Sequence, residues 1–285
     1  MVLPGASHAA WSSPEIVSGP GSSVSQTAIA GGSDGTSWVV WKRNVGGFDV
    51  IQGTQVQPDG TPGPIATISF TNADATDPVL AARADGSAVV AWLNTSTAAD
   101  SVQSANLGTD GTAGTVVDRS DVGDPGHDCK DVALAVGEDG TAGLTWLKFD
   151  GTNWVVHGVR ILADGTSGTI HGLSDDSVSS GPPAIAFKNF GTYRVVWPQG
   201  SGPDANVVSV LIEGSDLVSQ PYVALSEITS NGTGGDPQNV QVSYGNDLVP
   251  TLAFIRHRRN VDPSDNSDYF NWAVEMVRPL RLVPS

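Results

Sequence analysis

Two short runs and one dispersed set hold most of the side chains of this 285-residue chain that could do chemistry. The run His127-Asp128-Cys129-Lys130-Asp131 places imidazole, carboxylate, thiol and amine within five residues. Imidazole and carboxylate supply proton acceptors or ligands for a transition metal; equally, a solvated loop uses such an Asp to cap a turn. The run Arg256-His257-Arg258-Arg259 holds three of the chain's 14 basic residues. Guanidinium groups grip carboxylate, sulfate or phosphate through paired hydrogen bonds, and the neighbouring Asp262, Asp265 and Asp268 offer internal ion pairs as the alternative. The dispersed set is Gln26, Asp77, Asp131, Pro182 and Asn239, which share one position of a repeat. The acid-base candidates are therefore His127, Asp131, Asp77 and His257, and the ligand-binding candidates are Gln26, Asp128, Lys130, Asn239, Arg256, Arg258 and Arg259. No metal ligand set is assigned. Ca²⁺ at Asp262 to Asp268 is the one cofactor weighed, and that stretch lacks the spaced Asp, Gly and closing Glu of an EF-hand loop.

Composition narrows the partners. Thirty acidic against 14 basic residues give a formal net charge of −16, which argues against nucleic acid, where affinity comes from neutralising phosphates. The same charge repels anionic membrane surfaces, and no apolar run approaches the roughly 20 residues that span a bilayer. A single cysteine, Cys129, excludes an intrachain disulfide and a four-Cys zinc site. Residues 1–10 contain Ser7-His8-Ala9, which reads either as the cleavage end of a signal peptide or as a ragged, disordered terminus. With 34 glycines and only 15% charged residues, the expectation is an exported, monomeric bacterial protein, secreted or on the cell surface.

The elements that must position the candidates follow from a repeat. Trp41, Trp92, Trp146 and Trp197 are 51, 54 and 51 residues apart, and Phe254 takes the place in a fifth unit. Seven residues before them stand Asp34, Asp85, Asp139, a degenerate Phe190 and Asp247. A second Asp-Gly-Thr follows the first three Trp by 18 residues, at Asp59, Asp110 and Asp164. Each unit reads as four strands, in the first Gln26 to Gly31, Trp38 to Lys42, Asp49 to Gln57 and Ile65 to Ser69, with Asp-Gly pairs at the tight hairpins. Four antiparallel strands per unit of about 50 residues make a propeller blade. The fold class is thus all-β, a five-bladed β-propeller. Blades are expected at 24–69, 75–120, 129–174, 182–226 and 238–285 plus 13–18, within one domain spanning 11–285. The outer strands end in Ser69, Ser120, Ser174 and Ser226, and counting back 51 from Ser69 lands on Ser18. The N-terminal strand, Pro14 to Ser18, is therefore expected to complete the last blade and close the ring, removing exposed sheet edges.

Strand order sorts the connections onto two faces. One carries short Asp-Gly turns; the other carries long, unequal loops, at Phe70 to Thr76, Arg119 to Lys130, Asp175 to Gly181, Glu227 to Gln238 and Arg256 to Asp268. Function concentrates where loops vary on a rigid scaffold. The repeated Trp reads as inter-blade core.

On these marks the chain resembles the tachylectin-like sugar-binding propellers and, in architecture only, the arabinanase-like glycoside hydrolases. The latter carry Asp, Asp and Glu on the inner strands of their first three blades; here Gln26, Asp77 and Asp131 correspond, without a Glu. Nor do the units match the sialidase Asp-box. Composition, strand order and the unequal loops lead first to an exported propeller that recognises a glycan, or another polar or anionic ligand, at one composite site on the long-loop face. A hydrolase or lyase at the same site, and a scaffold with a protein partner, stand as the alternatives.

Overall fold

A computed structural model describes residues 13–21, 23–96, 99–120, 127–189, 191–201, 205–216, 218–219, 222–223, 237–261 and 268–278, with the backbone alone at 222–223, 257–261 and 268–271. It is all-β, and no helix occurs among the described residues. The first sheet has strands β1 (Val24–Gly31), β2 (Ser37–Val45), β3 (Phe48–Val56) and β4 (Ala66–Thr67). The second has β5 (Ala75–Ala82), β6 (Ala88–Asn94), β7 (Ser101–Leu107) and β8 (Val117–Asp118). β9 (Cys129–Val136), β10 (Ala142–Phe149), β11 (Trp154–Ile161) and β12 (His171–Gly172) form the third. β13 (Ala184–Asn189), β14 (Thr192–Gln199), β15 (Asn206–Ile212) and β16 (Tyr222–Val223) form the fourth, and β17 (Gln238–Tyr244), β18 (Pro250–Val261) and β19 (Asp268–Val277) the fifth. Every pairing between neighbouring strands is antiparallel and in chain order.

The Asp-Gly-Thr signature has a local cause. In the turns at Asp34, Asp85, Asp110, Asp139 and Asp164, the carboxylate accepts both the amide and the hydroxyl of the Thr or Ser two residues on, at 2.6 to 3.1 Å. The intervening glycine sits at φ between 77° and 90°, a region that side chains disfavour and hairpin turns demand. All three residue types are thus required by the turn itself.

Core packing repeats between sheets. The side chains of Trp41, Trp92, Trp146 and Trp197 are buried, as the inter-sheet reading expects. Four apolar clusters lie between consecutive sheets, and each uses the same two positions. One is the residue on the third strand just before the partner of the Trp or its equivalent: Ile51, Val102, Val156 and Val207. The other is on the first strand of the following sheet: Leu80, Leu134, Ile185 and Val242. First strands of successive sheets lie side by side, β1 with β5, β5 with β9, β9 with β13 and β13 with β17. The arrangement is propeller-like.

Polar staples reinforce it on the Asp-Gly face. Arg83, buried, donates to the carbonyls of Gly140 at 2.7 Å and Ala88 at 3.2 Å and to the Asn106 side chain at 2.9 Å. Gln55 reaches the Gly86 carbonyl at 3.1 Å, and Arg160 reaches that of Gly214.

Some boundaries differ from the sequence expectation. The fourth strands are two-residue stubs, because a serine hydroxyl accepts the third-strand amide where another carbonyl would stand: Ser69 with Ile51 at 2.9 Å, Ser120 with Val102 at 2.9 Å and Ser174 with Val156 at 2.8 Å. The loop expected to start at Arg256 is instead strand as far as Val261, paired residue for residue with β19 from Arg256↔Ala273 to Val261↔Asp268. Likewise the His127 run is only half loop, since β9 begins at Cys129.

Candidate functional site

Four first strands break their register at one place. β1 slips between Ser25 and Ala28, β5 between Thr76 and Val79, β9 between Lys130 and Ala133, and β17 between Gln238 and Gln241. At each slip one residue adopts a left-handed conformation: Gln26 at φ 51°, Asp77 at 51°, Asp131 at 52° and Asn239 at 50°. Asp and Asn tolerate this region better than other side chains, which accounts for three of the four types. The fourth sheet has Pro182 here, whose ring forbids a positive φ, and β13 starts only at Ala184. A bulge re-aims its extra residue. The repeated bulge is what turns this set of polar side chains away from the regular pleat.

Between the first three sheets those side chains meet. The Gln26 amide donates to the Asp77 carboxylate at 2.7 Å, while its carbonyl accepts the Thr76 hydroxyl at 2.8 Å and the Asp77 amide at 3.1 Å. Gln26, Asp77, Lys130 and Asp131, with Val79 and Leu93 beneath, line a cavity of about 530 Å³. A second cavity of about 410 Å³ is lined by Lys42, Asn44, Asp49, Asp74 and Thr76 among others.

The electrostatics of the first cavity are those of crowded carboxylates. Burial pushes the Asp131 carboxyl up, Lys130 opposes this, and the charge of Asp77 adds to it. Asp100 is also raised, by burial first and then by Asp128 and Asp77. The Lys130 ammonium also lies 3.8 Å from the centre of the Trp154 ring, a cation–π contact.

The remaining candidates lie elsewhere. Asp128 accepts the Asp100 amide at 3.1 Å, as Asp74 accepts that of Asp49 at 2.8 Å and Ser179 that of Trp154 at 3.3 Å, so it occupies a repeated sheet-to-sheet cap. His127 is half-buried and acts electrostatically on Asp150, outside the cavity lining. Cys129 is buried, its thiol pushed up to about 11 chiefly by burial, which makes it unreactive. Asn239 has the bulge geometry but sits in the fifth sheet, away from this cavity's lining. Arg256 is 3% exposed with its guanidinium 5.4 Å from the Phe254 ring centre. It stands two residues after Phe254 as Arg43 stands two after Trp41, and Arg43 donates to the carbonyls of Ser18, Gly19 and Pro20. His257, Arg258 and Arg259 fall on β18, their side chains outside the described residues, as are Asp262 and Asp265. Sequence reasoning missed Thr76 and Lys42, which carry no repeat mark.

No family model matches the chain. Over 88 residues, 31% of this chain and 20% of the other, it is 31% identical to multiple inositol polyphosphate phosphatase 1 of Gallus gallus. Among solved structures it resembles a protein of unknown function from Dyadobacter fermentans, with a TM-score of 0.53 at 9% identity over 84% of this chain and 76% of that one. It also resembles the polysaccharide lyase Uly1, with a TM-score of 0.52 at 9% identity over 90% and 58%. A third likeness is to the GH93 α-L-arabinofuranosidase of Fusarium graminearum, solved with arabinobiose, with a TM-score of 0.50 at 13% identity over 88% and 80%. At these identities the likeness is one of fold, and it agrees with the propeller-like arrangement of sheets.

Proposed function

We propose that the chain is a glycan-binding propeller whose site is the cavity between Gln26, Asp77 and Asp131. The observation that carries this reading is the clamp of Gln26 on Asp77, which holds a carboxylate in a fixed direction beside a second one, Asp131, in the same cavity lining. Preset carboxylate and amide acceptors over a small apolar floor suit vicinal hydroxyl groups, which donate to them. The likenesses to a polysaccharide lyase and an arabinofuranosidase support a carbohydrate over other polar ligands. With two aspartates in the lining, the reading favours a neutral glycan over an anionic one. In its finer form it takes the five sheets as five blades of one ring, closed by the N-terminal strand, exported and acting as a monomer.

The test is calorimetric titration with neutral oligosaccharides, arabinobiose first. Binding is expected, with Asp77→Asn and Asp131→Asn each weakening it by about tenfold or more, the loss of one charge-assisted hydrogen bond. A flat titration across arabinan, xylan and fructan fragments overturns the reading.

One observation favours a second reading. The raised Asp131 carboxyl beside Asp77 is the kind of unequal pair that serves as acid and base in glycoside hydrolysis. Release of reducing sugar that vanishes in Asp131→Asn, with binding retained, would select the hydrolase.

A further inference from the structure

The second cavity, of about 410 Å³, lies where the hairpin joining β2 to β3 meets the start of β5, and the repeat shows that equivalent positions elsewhere are filled differently. Asn44 pairs with Asp49 across β2 and β3, three residues beyond the Trp41↔Gln52 pair. Three residues beyond the matching Trp146↔His157 pair of the third sheet stand Phe149 and Trp154, whose ring centres are 5.3 Å apart. Lys42, next to Trp41, has Leu93 and Leu147 as its counterparts, and both are buried. The first sheet thus puts an ammonium, a carboxamide and a carboxylate where the third puts Leu147, Phe149 and Trp154. Apolar side chains stabilise a seam by leaving water and packing closely. The exchange forgoes that stabilisation and leaves open volume, the kind of local departure from a packing rule that marks a functional place.

The polar groups of this cavity are ordered among themselves. The Asp49 carboxylate accepts the Asn44 amide at 3.0 Å and pairs with the Lys42 ammonium at 3.2 Å, while the Asp49 backbone amide donates to Asp74 at 2.8 Å. The hydrogen bonds from Asn44 and then Lys42 hold the Asp49 carboxyl below its usual range. Donors and acceptors therefore stand side by side, which suits a sugar hydroxyl, itself both donor and acceptor. Two aspartates to one lysine in the lining disfavour an anionic sugar. Thr76 lines this cavity, and its hydroxyl donates at 2.8 Å to Gln26, which lines the first. Thr76 and Asp77 are consecutive on β5, one in each lining. We propose that the second cavity is a further sugar subsite continuous with the first, so that the protein takes an extended neutral oligosaccharide with successive residues in the two cavities. Lys42 and Asp49 are the binding residues of the second. The proposal deepens the glycan reading above and rests on it.

Chain length supplies the experiment. Di- and tetrasaccharides of arabinan, xylan and fructan are titrated calorimetrically into the intact protein. In the series that binds, the tetrasaccharide is expected to bind about tenfold more tightly than the disaccharide, the contribution of one charge-assisted hydrogen bond in the second cavity. Lys42→Leu restores the residue of the equivalent places Leu93 and Leu147, so its unfolding midpoint is expected to be no lower than the parent's, and the ratio of the two affinities is expected to fall to about one. Asn44→Phe with Asp49→Trp copies the third sheet, fills the cavity and is expected to remove the ratio in the same way. Should that double variant fail to fold, Lys42→Leu decides. Equal affinity for the two lengths in the parent overturns the proposal, as does a ratio that survives Lys42→Leu, or tighter binding of a uronic-acid tetrasaccharide than of the neutral one. Disaccharide binding without a gain from length leaves the glycan reading standing and removes the subsite alone. A flat titration at every length in every series removes both.

Discussion

At the residue scale the site is built from backbone conformations that cost stability. A left-handed non-glycine residue carries on the order of 1 kcal/mol or more, least for Asn and Asp, and Gln26 is the one side chain of the four with no such tolerance. Gln26→Gly is therefore expected to leave the unfolding free energy unchanged or raise it by about 1 kcal/mol while removing the clamp on Asp77 and weakening oligosaccharide binding. Denaturant titration and calorimetry on the one variant check both halves, and a loss of stability without loss of binding contradicts the argument. Asp131 gives a second test. Its folded pKa is raised, so the folded state binds this proton more tightly than the unfolded chain does. The sign follows: its contribution favours folding at low pH and is lost as pH rises through the interval between the unfolded and folded pKa values. Asp131→Asn should thus raise the unfolding midpoint at pH 7 relative to the parent, with the difference vanishing below about pH 4.

At the scale of elements, the turns and the inter-sheet staples carry opposite sensitivities. The donors of the turn hold the carboxyls of Asp85 and Asp110 below the usual range, hydroxyl first, and those of Asp59 and Asp164, amide first. A depressed folded pKa means stability that is present above the unfolded value and lost as pH falls through the folded one. Unfolding midpoints should therefore drop below about pH 4, and converting the four aspartates to Asn should flatten that limb of the curve. Arg83 responds to packing rather than pH. It is 5% exposed and serves two carbonyls and an amide oxygen in two sheets. Arg83→Ala strands those acceptors, at a cost of about 2–3 kcal/mol. Lys in its place, with one point charge for three acceptors, is expected to recover less than half by the same urea titration.

For the whole molecule, the question is whether the fifth seam has the energetics of the other four. Val102→Ala, Val156→Ala and Val207→Ala remove buried methyl groups from equivalent places, each expected to cost about 2 kcal/mol from lost transfer energy and the cavity left behind. A closed ring requires Val274→Ala to cost the same. If that substitution falls within about 0.5 kcal/mol of zero, the value for exposed sites, Val274 on β19, 78% exposed, faces water.

The repeat made much of this legible without coordinates. Asp-Gly-Thr, the Trp spacing and the terminal serines are local or periodic signals, and turn chemistry and sheet packing use them where they stand. Gln26, Asp77 and Asp131 were visible as a common position for the same reason. What the periodicity could not express was the left-handed bulge, at which the first strand slips in register against the second. Only the tertiary structure decided that Gln26 reaches Asp77 across two sheets, that Arg256 lies buried beside Phe254, and that Asp128 caps a strand instead of lining the cavity. His127 and Arg256 drew notice as clusters along the chain, but a strand sends successive side chains to opposite faces. Neighbours in sequence were thereby parted, and residues 51 apart were brought within hydrogen-bonding distance.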